Sequence, residues 1–276
     1  MRRIFFILLL VPILACQDVI DVELPVGEPR LVIDAVIRIN DTSQTTTRIR
    51  VKASQSSSFF DSITPAALQK ISVTNTKNNT FIYLQETDFG TGVYEATWET
   101  AQLIDGELEL NLNYEDQAFQ AKTKFIPTVP IDSLRQGSSN LFGDDETEVL
   151  VRFTDNGERR DHYLFDFNFG EYLVTEDEFY QGQQFELSFF YDKDLKDQTE
   201  LKISLIGVDK VFFNYMNQIL QQSGSTSGPF STPTTTVRGN IINISGQNND
   251  NFALGYFAVC QTFSRTIVIN KETASN

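Results

Sequence analysis

Leu108-Glu109-Leu110-Asn111-Leu112-Asn113-Tyr114 alternates apolar and polar residues without a break. That is the period of a β-strand with one face in a core and the other in water. Upstream, short β-branched or aromatic runs recur at 31–37, 47–51, 71–75, 81–84 and 92–96, separated by polar turn residues. About seven strands within roughly 100 residues predict an immunoglobulin-like β-sandwich over residues 30–125.

Phe125-Ile126-Pro127-Thr128-Val129-Pro130 interrupts the pattern. Two prolines in six residues favour an extended, unpaired segment, and the domain boundary is placed there. Residues 126–276 are predicted to form a larger β-rich domain, a sandwich or an open barrel, with strands at 148–153, 163–169, 240–244, 252–262 and 265–269. In 163–169, Tyr163, Phe165, Phe167 and Phe169 share one face, which reads as core, with a stacking platform for sugar or peptide as the alternative. One amphipathic helix is predicted over 209–222. Val211, Phe212, Tyr215, Met216, Ile219 and Leu220 form its stripe, Asp209 caps its start, Ser223-Gly224 ends it, and the stripe is expected to lie on the second sheet. The fold class is therefore all-β with one helix.

Met1-Arg2-Arg3 and the apolar run 4–15 make a basic flank and a hydrophobic stretch too short to span a bilayer comfortably, since about 20 residues are needed. Residues 1–15 read as an export signal. Ile13-Leu14-Ala15-Cys16 reads as a lipobox, so Cys16 is expected to carry the acyl chains that hold the mature protein on a membrane through its first residue. Residues 16–29 form the lipidated N-terminus and tether; the alternation in Val19-Ile20-Asp21-Val22-Glu23-Leu24 suits a strand laid on a sheet edge better than a flexible leash. Asp18 is not immediately after Cys16, where an acid would favour inner-membrane retention, so the outer membrane is the expected location.

With Cys16 lipidated, Cys260 is the only thiol left, and no intramolecular disulfide can form. It lies in an apolar stretch and reads as a buried small hydrophobe. Removal of Arg2 and Arg3 leaves 20 basic against 37 acidic side chains, a formal charge of −17. Such a surface repels nucleic acid and anionic headgroups.

Catalytic chemistry finds little support. His162 is the sole histidine and no Gly-x-Ser-x-Gly accompanies it, so it reads as a strand residue facing solvent or a carboxylate, and a site with two histidines on zinc is excluded. Asp192, Asp194 and Asp197, and Asn248, Asn249, Asp250 and Asn251, are conceivable calcium ligands, but neither stretch has the spacing of a calcium loop. No cofactor or metal is expected. The candidate contact residues are Phe230, in the Ser, Thr, Gly and Pro-rich loop 225–236, with Arg238 and Asn240 beyond it; loops of that length in compact domains are functional or disordered.

Several segments together resemble a family of Bacteroidota lipoproteins catalogued as domain of unknown function 4249. They are Cys16 with 19–25, Pro29-Arg30-Leu31-Val32-Ile33-Asp34, Pro127 with Pro130-Ile131-Asp132-Ser133-Leu134, and Gly228-Pro229-Phe230 through Gly239-Asn240-Ile241 to Ala253-Leu254-Gly255-Tyr256-Phe257. The resemblance implies an outer-membrane lipoprotein, often encoded beside TonB-dependent receptors, with no established activity and no catalytic residues to carry over. The expectation is a binding or accessory module for a TonB-dependent transport system. The rivals are a carbohydrate-active hydrolase using paired carboxylates and a structural envelope protein.

Overall fold

A computed structural model describes residues 28–57, 62–138, 146–191, 195–223, 236–246 and 251–271. Cys16, the signal, the tether up to residue 27, Phe230, Asp192, Asp194 and residues 248–250 lie outside the described residues. In chain order the strands are β1 (Leu31–Ile39), β2 (Thr46–Gln55), β3 (Thr64–Pro65), β4 (Lys70–Asn75), β5 (Thr80–Tyr83), β6 (Gln85–Glu86), β7 (Val93–Glu99), β8 (Glu107–Tyr114) and β9 (Gln117–Ile126). They continue as β10 (Ile131–Gln136), β11 (Thr147–Thr154), β12 (His162–Asp166), β13 (Tyr172–Glu176), β14 (Gln184–Tyr191), β15 (Glu200–Val208), β16 (Ile242–Asn243) and β17 (Leu254–Val268). The described helices are α1 (Thr100–Ile104) and α2 (Lys210–Ser223). None is long and apolar enough to cross a membrane.

The fold is all-β: an immunoglobulin-like sandwich followed by a second sandwich carrying one amphipathic helix. In the first, a sheet ordered β5-β4-β8-β9-β17-β1-β2-β7-β6 folds over at the pairing of β9 with β17, so that β17-β1-β2-β7-β6 and β5-β4-β8-β9 enclose one core. The alternation of β8 does what its sequence requires, with Leu108, Leu110 and Leu112 buried against Ile33, Ile49, Val51 and Val73. Ile241, Ala253, Phe257 and Val259, distant in sequence, complete this core. In the second sandwich β10-β11-β14 faces β12, β13, β15 and the end of β17, with Phe153, Tyr163, Phe165, Phe167 and Ile203 between them.

β17 belongs to both sandwiches. Its first half runs parallel to β1, from Val32↔Leu254 to Ile39↔Gln261, and its second half runs antiparallel to β15, from Ile206↔Thr262 to Glu200↔Val268. This corrects the expectation of separate strands at 252–262 and 265–269: the polar residues Ser264 and Arg265 sit in register with Ser204 and Ile203, and the ladder does not break. It also sets the long axis. The second sandwich lies beyond the C-terminal end of β1, and the chain reaches the start of β1 at the opposite end.

α2 is capped by Asp209, whose Oδ1 accepts the Phe212 amide at 2.7 Å. Phe212 is buried against Tyr256, with Leu164, Ile206 and Val208 beneath, so the helix covers the outer face of β12, β15 and the shared strand β17. Val211, predicted in the buried stripe, is exposed, because Phe213 turns to His162 and takes the contact. The strand expected over 163–169 stops at Asp166. Asn168 and Phe169 adopt φ of 69° and 52° in a turn that returns the chain to β13, which leaves Phe169 exposed. The strand expected over 240–244 shortens to β16 for the reason given by Asn240 below.

Candidate binding cleft

The β8–β9 hairpin turns through Glu115 and Asp116, both left-handed at φ 47° and 60°. That two-residue connection matches the twist of the flanking strands, and it places Tyr114 and Gln117 opposite one another at the end of the sandwich where β1 begins. Between this hairpin and the segment Glu28-Pro29-Arg30-Leu31 lies a cleft of about 370 Å³, closed on a third side by Asn251. The Tyr114 hydroxyl accepts a hydrogen bond from Gln55 Nε2. Burial pushes that phenol above its ordinary range, against the pull of the Gln55 contact.

The far wall is a ring of amides. Gln117 Oε1 accepts from Asn243 Nδ2 and Asn251 Nδ2, each at 2.8 Å, and Asn243 Nδ2 also donates to the Asn251 carbonyl at 2.9 Å. Asn251 is shared with a smaller pocket of about 120 Å³ that includes Arg238, Ile242 and Phe252. Phe252 lines the smaller pocket, with the guanidinium of Arg238 3.6 Å from its ring centroid and that of Arg30, from the larger cleft, at 3.9 Å. Amide donors and acceptors, a phenol and two cations stacked on an aromatic ring suit a neutral polar or weakly anionic ligand, such as a sugar or a peptide. Nothing in the contacts described pairs a nucleophile with a base.

Of the residues expected at a site, Arg238 lines this region. Asn240 is committed to the protein's own backbone: its Oδ1 accepts the Phe257 amide at 2.8 Å, and its Nδ2 donates to the carbonyls of Phe257 at 2.8 Å and Lys122 at 3.2 Å. The side chain stands in for a strand residue between β9 and β17, which is why β16 starts only after it. Gly239 beside it is required by packing, since a Cβ there would lie 1.6 Å from the Gly255 carbonyl oxygen.

His162 Nε2 lies 3.6 Å from Glu176 Oε2, its partner across β12 and β13, as a strand residue beside a carboxylate. Tyr163, Phe165 and Phe167 are fully buried, so this part of the aromatic row is core and not a platform. Asp197 Oδ1 accepts the Lys271 amide at 2.9 Å, and no group of three or more His, Cys, Asp or Glu side chains able to hold a metal occurs among the described residues.

The sequence reading missed most of the cleft. Asn251 reads from sequence only as a calcium candidate, and Arg30, Tyr114, Gln117, Asn243 and Phe252 carry no local signal, because they meet only when β1, the β8–β9 hairpin and the start of β17 are brought together. It also missed a buried carboxylate cluster. The Tyr163 hydroxyl lies between Asp155 and Asp161, Arg159 Nε donates to both oxygens of Asp161 at 2.6 and 2.8 Å, the Gly182 amide donates to Asp155 at 2.7 Å, and the Asp161 amide donates to Asp177 at 2.8 Å. Every one of these acids is tied into the corner that closes the second sandwich.

Two sandwiches sharing one long strand, with an open polar cleft at the end remote from the second core, define a two-sandwich all-β protein. The chain belongs to the family described as domain of unknown function (DUF4249), whose sequence pattern matches residues 17–266. No curated protein matches it. Among solved structures it is similar to a DUF4785 family protein from Legionella pneumophila subsp. pneumophila str. Philadelphia 1, at 13% identity and TM-score 0.25 over 64% of this chain and 52% of that one. The chain thus spans about half the length of that protein. A second is the Fcho1 Mu homology domain of Danio rerio with bound Eps15 peptide, at 7% identity and TM-score 0.16 over 86% of this chain and 92% of that one. Likeness at these scores defines no shared fold and no shared function.

Proposed function

We propose that the protein is an outer-membrane lipoprotein of the Bacteroidota type, acylated at Cys16, that acts as a binding or accessory module for a TonB-dependent transport system. The observation that supports this reading is the position of the cleft. Glu28 and Arg30, at the start of the described residues, are themselves part of its wall. Only residues 17–27 lie between them and Cys16, a tether of at most about 40 Å at roughly 3.5 Å per residue. A lipid at Cys16 therefore holds the cleft close to the membrane, where a membrane-embedded transporter and the ligands passing to it are met. The hydrolase reading gains nothing from the buried acids, which are held by internal hydrogen bonds.

The test is affinity purification of the tagged, lipidated protein from mildly solubilised outer membranes, with Cys16→Ala and Gln117→Ala/Asn251→Ala variants alongside. Stoichiometric recovery of a TonB-dependent receptor with the wild type, and its loss with both variants, supports the proposal. Recovery of the lipoprotein alone, under conditions that preserve other membrane complexes, overturns the transporter partnership.

A further inference from the structure

Phe89 is fully exposed, at 101% of its reference area, on the tip of the β6–β7 hairpin. The hairpin is not a loose loop. The Thr87 amide donates to the Val93 carbonyl at 2.9 Å, Thr91 Oγ1 to the Asp88 carbonyl at 2.7 Å, and the Gly92 amide to Glu86 Oε1 at 2.8 Å. The Gly92 carbonyl in turn accepts the Ala53 amide at 2.7 Å, which pins the base of the hairpin to β2. Close packing there leaves no room for a side chain, since a Cβ on Gly92 would lie 2.3 Å from the Ala53 oxygen and 3.2 Å from Pro65 Cβ. A rigid support therefore holds an aromatic ring out in solvent.

The registers locate that ring. β2 runs antiparallel to β1 with Leu31↔Gln55, and β7 antiparallel to β2 with Lys52↔Val93, so the turn before Val93 projects from the end at which β1 starts. β3 pairs there too, with Gln55↔Thr64, and it places Ile63, 65% exposed, beyond the same edge. Phe89 and Ile63 thus protrude from the end where the chain arrives from residue 27. The second sandwich lies at the other end.

We propose that Phe89 and Ile63 insert into the lipid surface to which the protein is tethered, as a second membrane contact that stands the molecule on its first sandwich. The proposal rests on the reading of Cys16 as the acylated residue. A single acyl attachment fixes distance but not orientation, and apolar side chains beside a lipid anchor add both affinity and a fixed attitude. A bilayer suits these residues better than a protein partner does. A stable protein interface needs a continuous patch, with roughly 1,200 Å² buried in total. Among the described residues, Phe89 and Ile63 are flanked along the chain by polar neighbours, Asp88, Thr91 and Ser62, and a fluid interface accepts such side chains one at a time. The neighbouring charges, Arg30 and Lys70 with Glu28, Asp88, Glu115 and Asp116, sum to −2, which suits a zwitterionic surface better than an anionic one.

Full-length acylated protein carrying Phe89→Cys is labelled with an environment-sensitive fluorophore. Cys16 is blocked by its lipid and Cys260 is buried, so only the introduced thiol reacts. The protein is reconstituted into phosphatidylcholine vesicles with and without brominated acyl chains. Ile63→Cys is treated in the same way, and Phe179→Cys, at an 87% exposed aromatic of the second sandwich, is the control. The expected result is blue-shifted emission, quenched by the brominated chains, at 89 and 63, and an aqueous spectrum at 179. Protein that floats with the vesicles while the labels at 89 and 63 stay in water overturns the insertion and leaves the anchor standing. Protein that does not float overturns the acylation reading, and the insertion with it. Shielding at 89 only in native membranes, and not in pure lipid, overturns lipid contact in favour of a protein partner.

Discussion

Arg238 holds its guanidinium carbon 3.6 Å from the centroid of the Phe252 ring. Arg30 lies 3.9 Å from the same centroid, and two groups at those heights cannot share a face without overlapping, so Phe252 is clamped from both sides. Replacing it with Leu keeps much of the apolar volume and removes both stacks, each contributing about 0.5–1 kcal/mol at a partly exposed site. Phe252→Leu is expected to destabilise the fold by about 1–2 kcal/mol in denaturant titration, with Arg238→Ala giving close to half. An unchanged midpoint for Phe252→Leu would show that the stack contributes nothing.

Gly255 takes φ +95°, and a Cβ there would lie 1.9 Å from the Ile33 carbonyl oxygen. Gly239 packs on Gly255 in turn, so three backbones stack without an intervening side chain. Left-handed strain and overpacking add, and Gly255→Ala is expected to cost roughly 3 kcal/mol or more. Thermal unfolding of the purified variant checks this, and a melting temperature within error of wild type would refute the close approach.

Because β17 contributes to both cores, the two sandwiches are expected to unfold together. Phe165 is fully buried in the second core, where truncation to Ala costs about 3–5 kcal/mol. The only tryptophan, Trp98, packs on the first core. Phe165→Ala should move the Trp98 fluorescence transition as far as it moves the circular dichroism transition. A fluorescence midpoint that stays put while part of the dichroism signal shifts would mean that the shared strand does not couple them.

Burial, with a smaller contribution from Asp209 and against the pull of Arg38, pushes the Cys260 thiol from its ordinary 9.0 up to about 12. Tyr163, Tyr180, Tyr191 and Tyr256 are likewise raised above their ordinary 10.0, in each case chiefly by burial. The folded state then holds these protons more tightly than the unfolded chain does. The stability they contribute is complete below pH 9 and falls as the pH rises from there toward 12. Alkaline titration should therefore show phenolate absorbance from these residues appearing with unfolding and not before it. Native protein should leave Cys260 unreacted by a thiol reagent at mildly alkaline pH, and rapid modification of folded protein would contradict the burial.

The local periods read well. Leu108, Leu110 and Leu112 went to the core as their alternation required, and Asp209 caps α2 where a capping residue was expected. The misreadings fall where the chain's local preference is overruled from a distance. Phe169 continues the aromatic alternation of Tyr163, Phe165 and Phe167, yet it is exposed, because the turn at Asn168 directs the chain back to form β13. Asn240, named beside the long loop as a contact residue, has its amide bonded to the backbone of Phe257, a pairing that no local pattern records.

By itself the sequence determined the β class, the one amphipathic helix and the burial of Cys260, since each follows from periodicity or from the company a residue keeps within a few positions. Only the tertiary structure decided that β17 joins the two cores, that Gly239, Gly255 and Ile33 stack backbone on backbone, and that Arg30, Tyr114, Gln117 and Asn251 share one cleft. Strand pairing and close approach are set by the joint packing of residues up to about 220 positions apart, and no local pattern records which of several compatible strands will be the partner.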